Sequence, residues 1–129
     1  MERRFTTFPC AMKTTYSKIT PFVTKDASLI RELIHPSQHG PSAISFAEAT
    51  VEIGGTTRTH HHCESEEIYH ITQGKGSMRL GDTVFEIHVG DTIRIPPGTP
   101  HNVTNTGREV LKIICASCPP YEDEDTVLV

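Results

Sequence analysis

From Ser42 onward the chain is written as short runs rich in apolar and β-branched residues, each closed by glycine, proline or aspartate. Runs of this length with such punctuation predict strands and tight turns rather than helices. The pattern predicts strands over residues 44–53, 57–62, 67–72, 77–80, 83–87, 92–95, 101–105 and 109–115. Turns fall at Gly54-Gly55, Gln73-Gly74-Lys75-Gly76, Gly81-Asp82, Gly90-Asp91 and Pro96-Pro97-Gly98-Thr99-Pro100. In residues 67–72 alternation places Glu67, Tyr69 and Ile71 on one face and Ile68 and His70 on the other. The expected class is all-β, as a closed barrel or a double-sheet jelly roll.

Ahead of this region the pattern weakens. Residues 1–20 read as an extended arm punctuated by Pro9 and Pro21. Residues 23–33 read as two short strands around Lys25-Asp26-Ala27-Ser28, with a Ser28-capped helix over 28–34 as the rival. His35 to Pro41 reads as loop, one that could fold over a barrel mouth and carry His35 and His39 there. At the other end, Tyr121-Glu122-Asp123-Glu124-Asp125 reads as a solvated acidic tail, while the apolar ending from Thr126 to Val129 could dock on a partner subunit. The expected organisation is therefore an N-terminal arm with strands completing the barrel or a dimer (1–41), a barrel (42–118) and an acidic tail (119–129).

Composition narrows the function classes. The 129 residues suffice for one domain with a core of its own. A formal charge of −4, with no basic stripe, argues against nucleic acid as a partner. No apolar run is long enough to span a membrane, and no apolar segment follows Met1-Glu2-Arg3-Arg4-Phe5, so the expectation is a cytoplasmic protein without a signal peptide. The four cysteines are too few for a disulfide scaffold. Cys115-Ala-Ser-Cys118 has redox-motif spacing, but it follows an apolar strand and has no second CxxC, so it reads as small thiols near a strand end.

The chemistry concentrates in Thr59-His60-His61-His62-Cys63-Glu64-Ser65-Glu66-Glu67. On a strand His60 and His62 share a face and His61 takes the other. Imidazole and carboxylate together suit a borderline divalent ion. Glu66 and Glu67 both lie within reach of such a site. The same alternation, carried back from His60, turns Arg58 inward as a carboxylate or phosphate clamp. It turns Tyr69 inward as a group able to donate a proton or orient a ligand oxygen. His61, His70, His88 and Cys63 fall off this face.

Two spaced patterns run through this region: Gly54-x5-His60-x-His62-x4-Glu67-x6-Gly74 and Gly90-x5-Pro96-x-Gly98-x2-His101-x3-Asn105. All ten specified positions match the two signature motifs of the cupin superfamily, which the chain therefore resembles. The likeness is greatest to small single-domain members labelled mannose-6-phosphate isomerase-like or polyketide cyclase-like. The resemblance implies a double-stranded β-helix barrel in which His60, His62, Glu67 and His101 hold one divalent transition metal (Fe, Mn, Ni, Zn, Cu or Co). It favours Glu67 over Glu66 and implies a homodimer. It also implies a small-molecule substrate or ligand in the barrel, handled by a metal-dependent enzyme of dioxygenase, isomerase, cyclase or lyase type. The alternative is a non-catalytic module that binds or senses a small molecule or sugar. Superfamily membership alone does not choose between them.

Overall fold

A computed structural model describes residues 11–129. Two antiparallel sheets form the molecule. The first runs β1 (Phe22–Val23), β2 (Leu29–Ile34), β3 (Ser45–Val51), β10 (Leu111–Cys118), β5 (Glu66–Gln73), β8 (Thr92–Ile95). The second runs β11 (Thr126–Leu128), β4 (His60–His62), β9 (His101–Asn105), β6 (Lys75–Leu80), β7 (Thr83–His88). This is a double-stranded β-helix. The eight strands expected from the pattern are all present, with ends shifted by a few residues.

The hydrophobic pattern fixes which face of each strand turns inward. β10 is central in its sheet, paired with β3 on one side and β5 on the other. Its alternate residues Leu111, Ile113, Cys115 and Ser117 are buried. The fully buried Ile71, Met78, Ile87, Ile95, Val103, Leu111 and Ile113 form the core between the sheets. Each such side chain contributes about 1.5–3 kcal/mol of transfer free energy. Toward His60 and His62 the inward positions shrink to Ser45, Ala47, Ala49, Cys115 and Ser117. Short side chains there leave a cavity instead of a filled core.

Two glycines are required by the turns that carry the site. Gly74 closes β5 with φ +82°, and a Cβ there would press on the Val110 carbonyl oxygen at 2.9 Å. Gly98 sits at φ +77° in the proline-rich turn, and its N–H donates to the His62 carbonyl at 2.6 Å. That bond ties the approach to β9 directly onto β4.

The N-terminal flank meets expectation in part, with β1 and β2 as two short paired strands around the 24–28 turn. Residues 29–34 form β2, not the rival helix, and pair with β3 from Leu29↔Thr50 to Ile34↔Phe46. Pro36–His39 forms one helical turn where a loop was expected. Pro36 occupies the start of the turn, where its missing N–H costs nothing, and His35 Nδ1 accepts from the Ser37 N–H. The extended arm expected over residues 1–20 lies outside the described residues up to position 10; Tyr16–Lys18 is a 3-10 turn.

Glu122, Asp123 and Glu124 are exposed, but from Asp125 onward the chain returns to the barrel. β11 pairs along β4 through Thr126↔His62, Val127↔His61 and Leu128↔His60. Asp125 accepts from the Glu64 and Ser65 N–H groups at 2.9 and 3.1 Å. The physical reason is β4 itself, whose edge groups need partners that water would otherwise supply. The apolar ending that could have docked on a partner docks on its own barrel. No helix among the described residues is long and apolar enough to cross a membrane.

Candidate metal centre

His60, His62, Glu67 and His101 are all buried, and one donor atom from each lies within 4.8 Å of the others. They come from three strands. β4 contributes two imidazoles by alternation, β5 the carboxylate, and β9 its first residue after the Pro96–Pro100 turn. Glu67, not Glu66, faces this cluster. Glu66 is on the outer face, where its carboxylate takes Arg94 at 2.6 Å.

Each imidazole is held by its Nδ1. His60 donates to the Arg58 carbonyl at 2.8 Å and His101 to the Thr99 carbonyl at 2.9 Å. His62 Nδ1 lies 3.0 Å from Thr126 Oγ1, whose own proton goes to the Glu122 carbonyl at 2.9 Å, so here too the ring donates. In the neutral tautomer so selected, each Nε2 presents a lone pair to the cluster. Glu67 Oε1 presents lone pairs as well, 2.9 Å from His62 Nε2 and 3.5 Å from His101 Nε2. All three atoms are buried without a hydrogen-bond partner. Lone pairs turned on one another in a buried site repel unless a proton or a cation sits among them. Three imidazoles and a carboxylate are the donor set of a divalent transition metal, so the residues present fit one.

The electrostatics agree. Without a cation, a proton taken up by the imidazoles does the same work: burial alone would push the Glu67 carboxyl up, but donation from His101 and His62 in that state outweighs it and holds it at about 2. Burial pulls His60 down, with the neighbouring His101 adding to the effect, so its ring favours the neutral form that a metal needs. Burial also opposes charge on His62, yet the hydrogen bond to Glu67 raises it overall.

The cluster opens on an internal cavity of about 50 Å³. Tyr69 turns inward, its ring centroid 5.9 Å from that of His101. Burial, then the charge of Glu67, push its phenol well above the usual tyrosine range, so it remains a hydrogen-bond donor. Arg58 corrects the expected placement: it is exposed and does not line the cavity. Regular strand begins only at His60, so alternation does not carry back through the irregular residues 57–59, and Thr57 is buried instead. Arg58 serves the site through its carbonyl oxygen, not its guanidinium.

The remaining histidines stay apart. His70 is exposed and bonded to Thr92 Oγ1, and His88 is exposed beside Asp91. His61 is half-buried on the other side of β4. His35 reaches the Tyr121 carbonyl at 2.7 Å and borders an outer groove, while His39 Nδ1 accepts from the His35 N–H. Cys115 and Cys118 lie three apart on one strand, hence on opposite faces; the first is buried and the second exposed.

Sequence reasoning missed the residues that the flanks bring in. Asp26 reaches to 3.7 Å from His60 Nε2, with Oδ1 fixed by Thr24 Oγ1, Ser28 N–H and Ser28 Oγ. Glu32, Tyr121 and Thr126 also line the cavity. Replacing Thr126 by Val keeps the shape but removes the oxygen that orients His62. A 10–100-fold loss of metal affinity is expected, as for other outer supports of metal ligands. Chelator competition measures it.

A two-sheet β-barrel with a three-histidine, one-glutamate cluster opening on an internal cavity is the architecture of a metal-binding cupin. The cupin domain family matches residues 47–117, and the chain belongs to that family. It is 51% identical over 118 residues to an uncharacterized protein of Methanocaldococcus jannaschii, covering 92% of this chain and 94% of that one. Auxin-binding protein 1 of Arabidopsis thaliana is 32% identical over 100 residues, 66% of this chain and 50% of that one. Among solved structures, the polyketide cyclase RemF from Streptomyces resistomycificus superposes with a TM-score of 0.77 at 20% identity, covering 92% of this chain and 85% of that one. The nucleoside dehydratase Pac13 of Streptomyces superposes with a TM-score of 0.74 at 17% identity, covering 92% and 91%. At these identities the structural likeness speaks for the fold.

Proposed function

We propose that the protein is a metal-dependent enzyme acting on a small polar organic molecule, its metal held by His60, His62, Glu67 and His101. The observation that carries this reading is the tautomer arrangement: three Nδ1 groups committed to acceptors, and the Nε2 lone pairs converging on Glu67 beside an open cavity. An ion that takes five or six donors would keep one or two positions for a ligand beyond these four protein groups, and an open position is the mark of a catalytic site. When bound, such an ion supplies Lewis-acid activation of a ligand oxygen, or redox chemistry if it is iron, manganese or copper.

The chain's own groups surround that position. Tyr69, held protonated, donates a hydrogen bond from the cavity wall. Asp26 Oδ2 is the carboxylate oxygen placed to take or return a proton beside His60, with Oδ1 already occupied by Thr24 and Ser28. Arg58 lies outside the cavity and is given no role in this reading. Fe, Mn, Ni, Zn, Cu and Co all suit the donor set. The reading includes a cytoplasmic location and a homodimer. Unpaired thiols at Cys63, Cys115 and Cys118 fit the first. For the second, Phe46 and Ile68 stand exposed on either side of Ala116 on the outer face of the six-stranded sheet, and sedimentation checks it.

A second reading is a module that only binds its small molecule. The apolar share of the cavity wall, from Ile30, Ala47, Ala49, Val51, Val103 and Ile113, favours it. Incubating the metal-loaded protein with a panel of hydroxy acids, sugars and enolisable carbonyl compounds, with and without oxygen, separates the two. The enzyme reading expects product that disappears in Asp26→Asn while metal content stays. Saturable binding with no product across the panel would leave the binding module.

A further inference from the structure

Among the described residues, Glu32 is the one cavity carboxyl that the metal reading leaves without a task. It lies on β2, on the same face as Ser28 and Ile30, and all three line the cavity. Only 4% of the residue is exposed, and its Oε2 is buried with no hydrogen-bond partner among the described residues. A carboxyl kept for structure is paired, because burying one without a partner costs free energy on folding. Burial pushes this carboxyl up, and the charge of nearby His35 pulls it only part of the way back. Glu32 also borders the outer groove formed with Phe22, His35, Gln38 and Tyr121, so it stands where groove and cavity meet. Beside it in register are Ala47, then Cys115, then Tyr69. The two short side chains leave open space between Glu32 and the wall that carries Glu67 and Tyr69.

The charge of the lining points the same way. Asp26, Glu32 and Glu67 face the cavity, and among the described residues no lysine or arginine does. A phosphate or a second carboxylate on the ligand would meet no cation away from the metal centre.

Building on the metal reading, we propose that Glu32 is a specificity-determining residue that binds the end of the ligand remote from the metal. The ligand it selects carries a hydroxyl or ammonium group there, and not a phosphate or carboxylate. The metal end takes an oxygen; the Glu32 end takes a hydrogen-bond donor. This runs against phosphosugars and in favour of hydroxy or amino compounds.

The test uses four matched sets of straight-chain carboxylates of three to six carbons, bearing at the far end an amino, a hydroxyl, a carboxyl or no group. Affinities are measured by calorimetry on zinc-loaded wild type and Glu32→Gln. In wild type, the best amino or hydroxy compound should bind roughly tenfold or more tightly than its unsubstituted partner, as expected of a hydrogen bond to a buried carboxylate. The dicarboxylates should bind worst. In Glu32→Gln the amino preference should collapse and the dicarboxylate penalty shrink. Equal binding of all four sets, or a ranking unchanged in the variant, would overturn the proposal.

A second arm is independent of any ligand. Glu32→Gln and Glu32→Met should melt at the same temperature as the metal-free wild type or higher, because a group held for a ligand contributes nothing to the empty fold. Lower melting in both would assign the carboxyl a structural role and overturn the proposal. If the protein takes up none of the six metals, the metal reading falls alone: the same four sets on metal-free protein still reveal or deny a Glu32-dependent preference.

Discussion

His101→Ala is expected to weaken binding of zinc or cobalt by more than about 100-fold, beyond the 10–100-fold typical of outer supports such as Thr126. His101 is fully buried and supplies the only donor from β9. Removing it leaves His60, His62 and Glu67, all from the β4–β5 side, and opens a further position to water. Chelator competition on the folded variant measures the loss, with His70→Ala as the exposed control expected to match wild type. An affinity for His101→Ala within a few-fold of wild type would mean that the ion, if bound, sits elsewhere.

The second large effect is on acid stability of the metal-free protein. Glu67 is held at about 2 against an ordinary value of 4.5. A carboxyl depressed in the folded state contributes stability that is present above 4.5 and is lost as the pH falls from there toward 2. The size is on the order of 3 kcal/mol. His62 runs the opposite way: its raised value contributes stability below the ordinary histidine range that is lost as the pH climbs through that raised value. Both express one interaction, so they do not add. Urea midpoints between pH 2 and 5 should show this acid limb in wild type and a much shallower one in Glu67→Gln. With metal bound, protons compete with the ion for the imidazoles and the carboxylate, so acid should first release the metal.

How legible the molecule is from sequence depends on where regular alternation holds. In β5 it holds through eight residues, and the Glu66 or Glu67 alternative is settled by the same parity that buries Tyr69 and Ile71. His60, His62 and His101 are legible for the same reason, reinforced by the glycine and proline spacing around them. Arg58 fails because β4 is three residues long and the chain before it is irregular, so parity has nothing to propagate through. Cys115 and Cys118 carry the converse lesson: a spacing familiar from turns and helix starts means something else inside a strand.

The flanks were the least legible part, and they hold the residues that complete the site. Thr126 supports His62 from a three-residue strand behind an acidic run, too short to show a period. Asp125 looks like surface charge until β11 folds back and its carboxylate finds two backbone N–H groups on the β4–β5 turn. Asp26 and Glu32 sit on a hairpin whose inward face reads Ser28, Ile30, Glu32. A buried acid in that series contradicts the rule that inward positions are apolar. Local sequence gives no warning of such a residue, because its reason lies in the cavity it faces. The places where patterning misleads are those where chemistry replaces packing.

A cation is expected at the point where three Nε2 atoms meet the Glu67 carboxylate. The most direct measurement is metal content per chain by elemental analysis, on protein purified without chelator and on protein loaded separately with Fe, Mn, Ni, Zn, Cu and Co and then desalted. The expected result is one tightly held divalent ion per chain in at least one preparation, lost in parallel from His60→Ala, His62→Ala, Glu67→Ala and His101→Ala. No stoichiometric ion in any preparation, or an ion retained by all four variants, would contradict it.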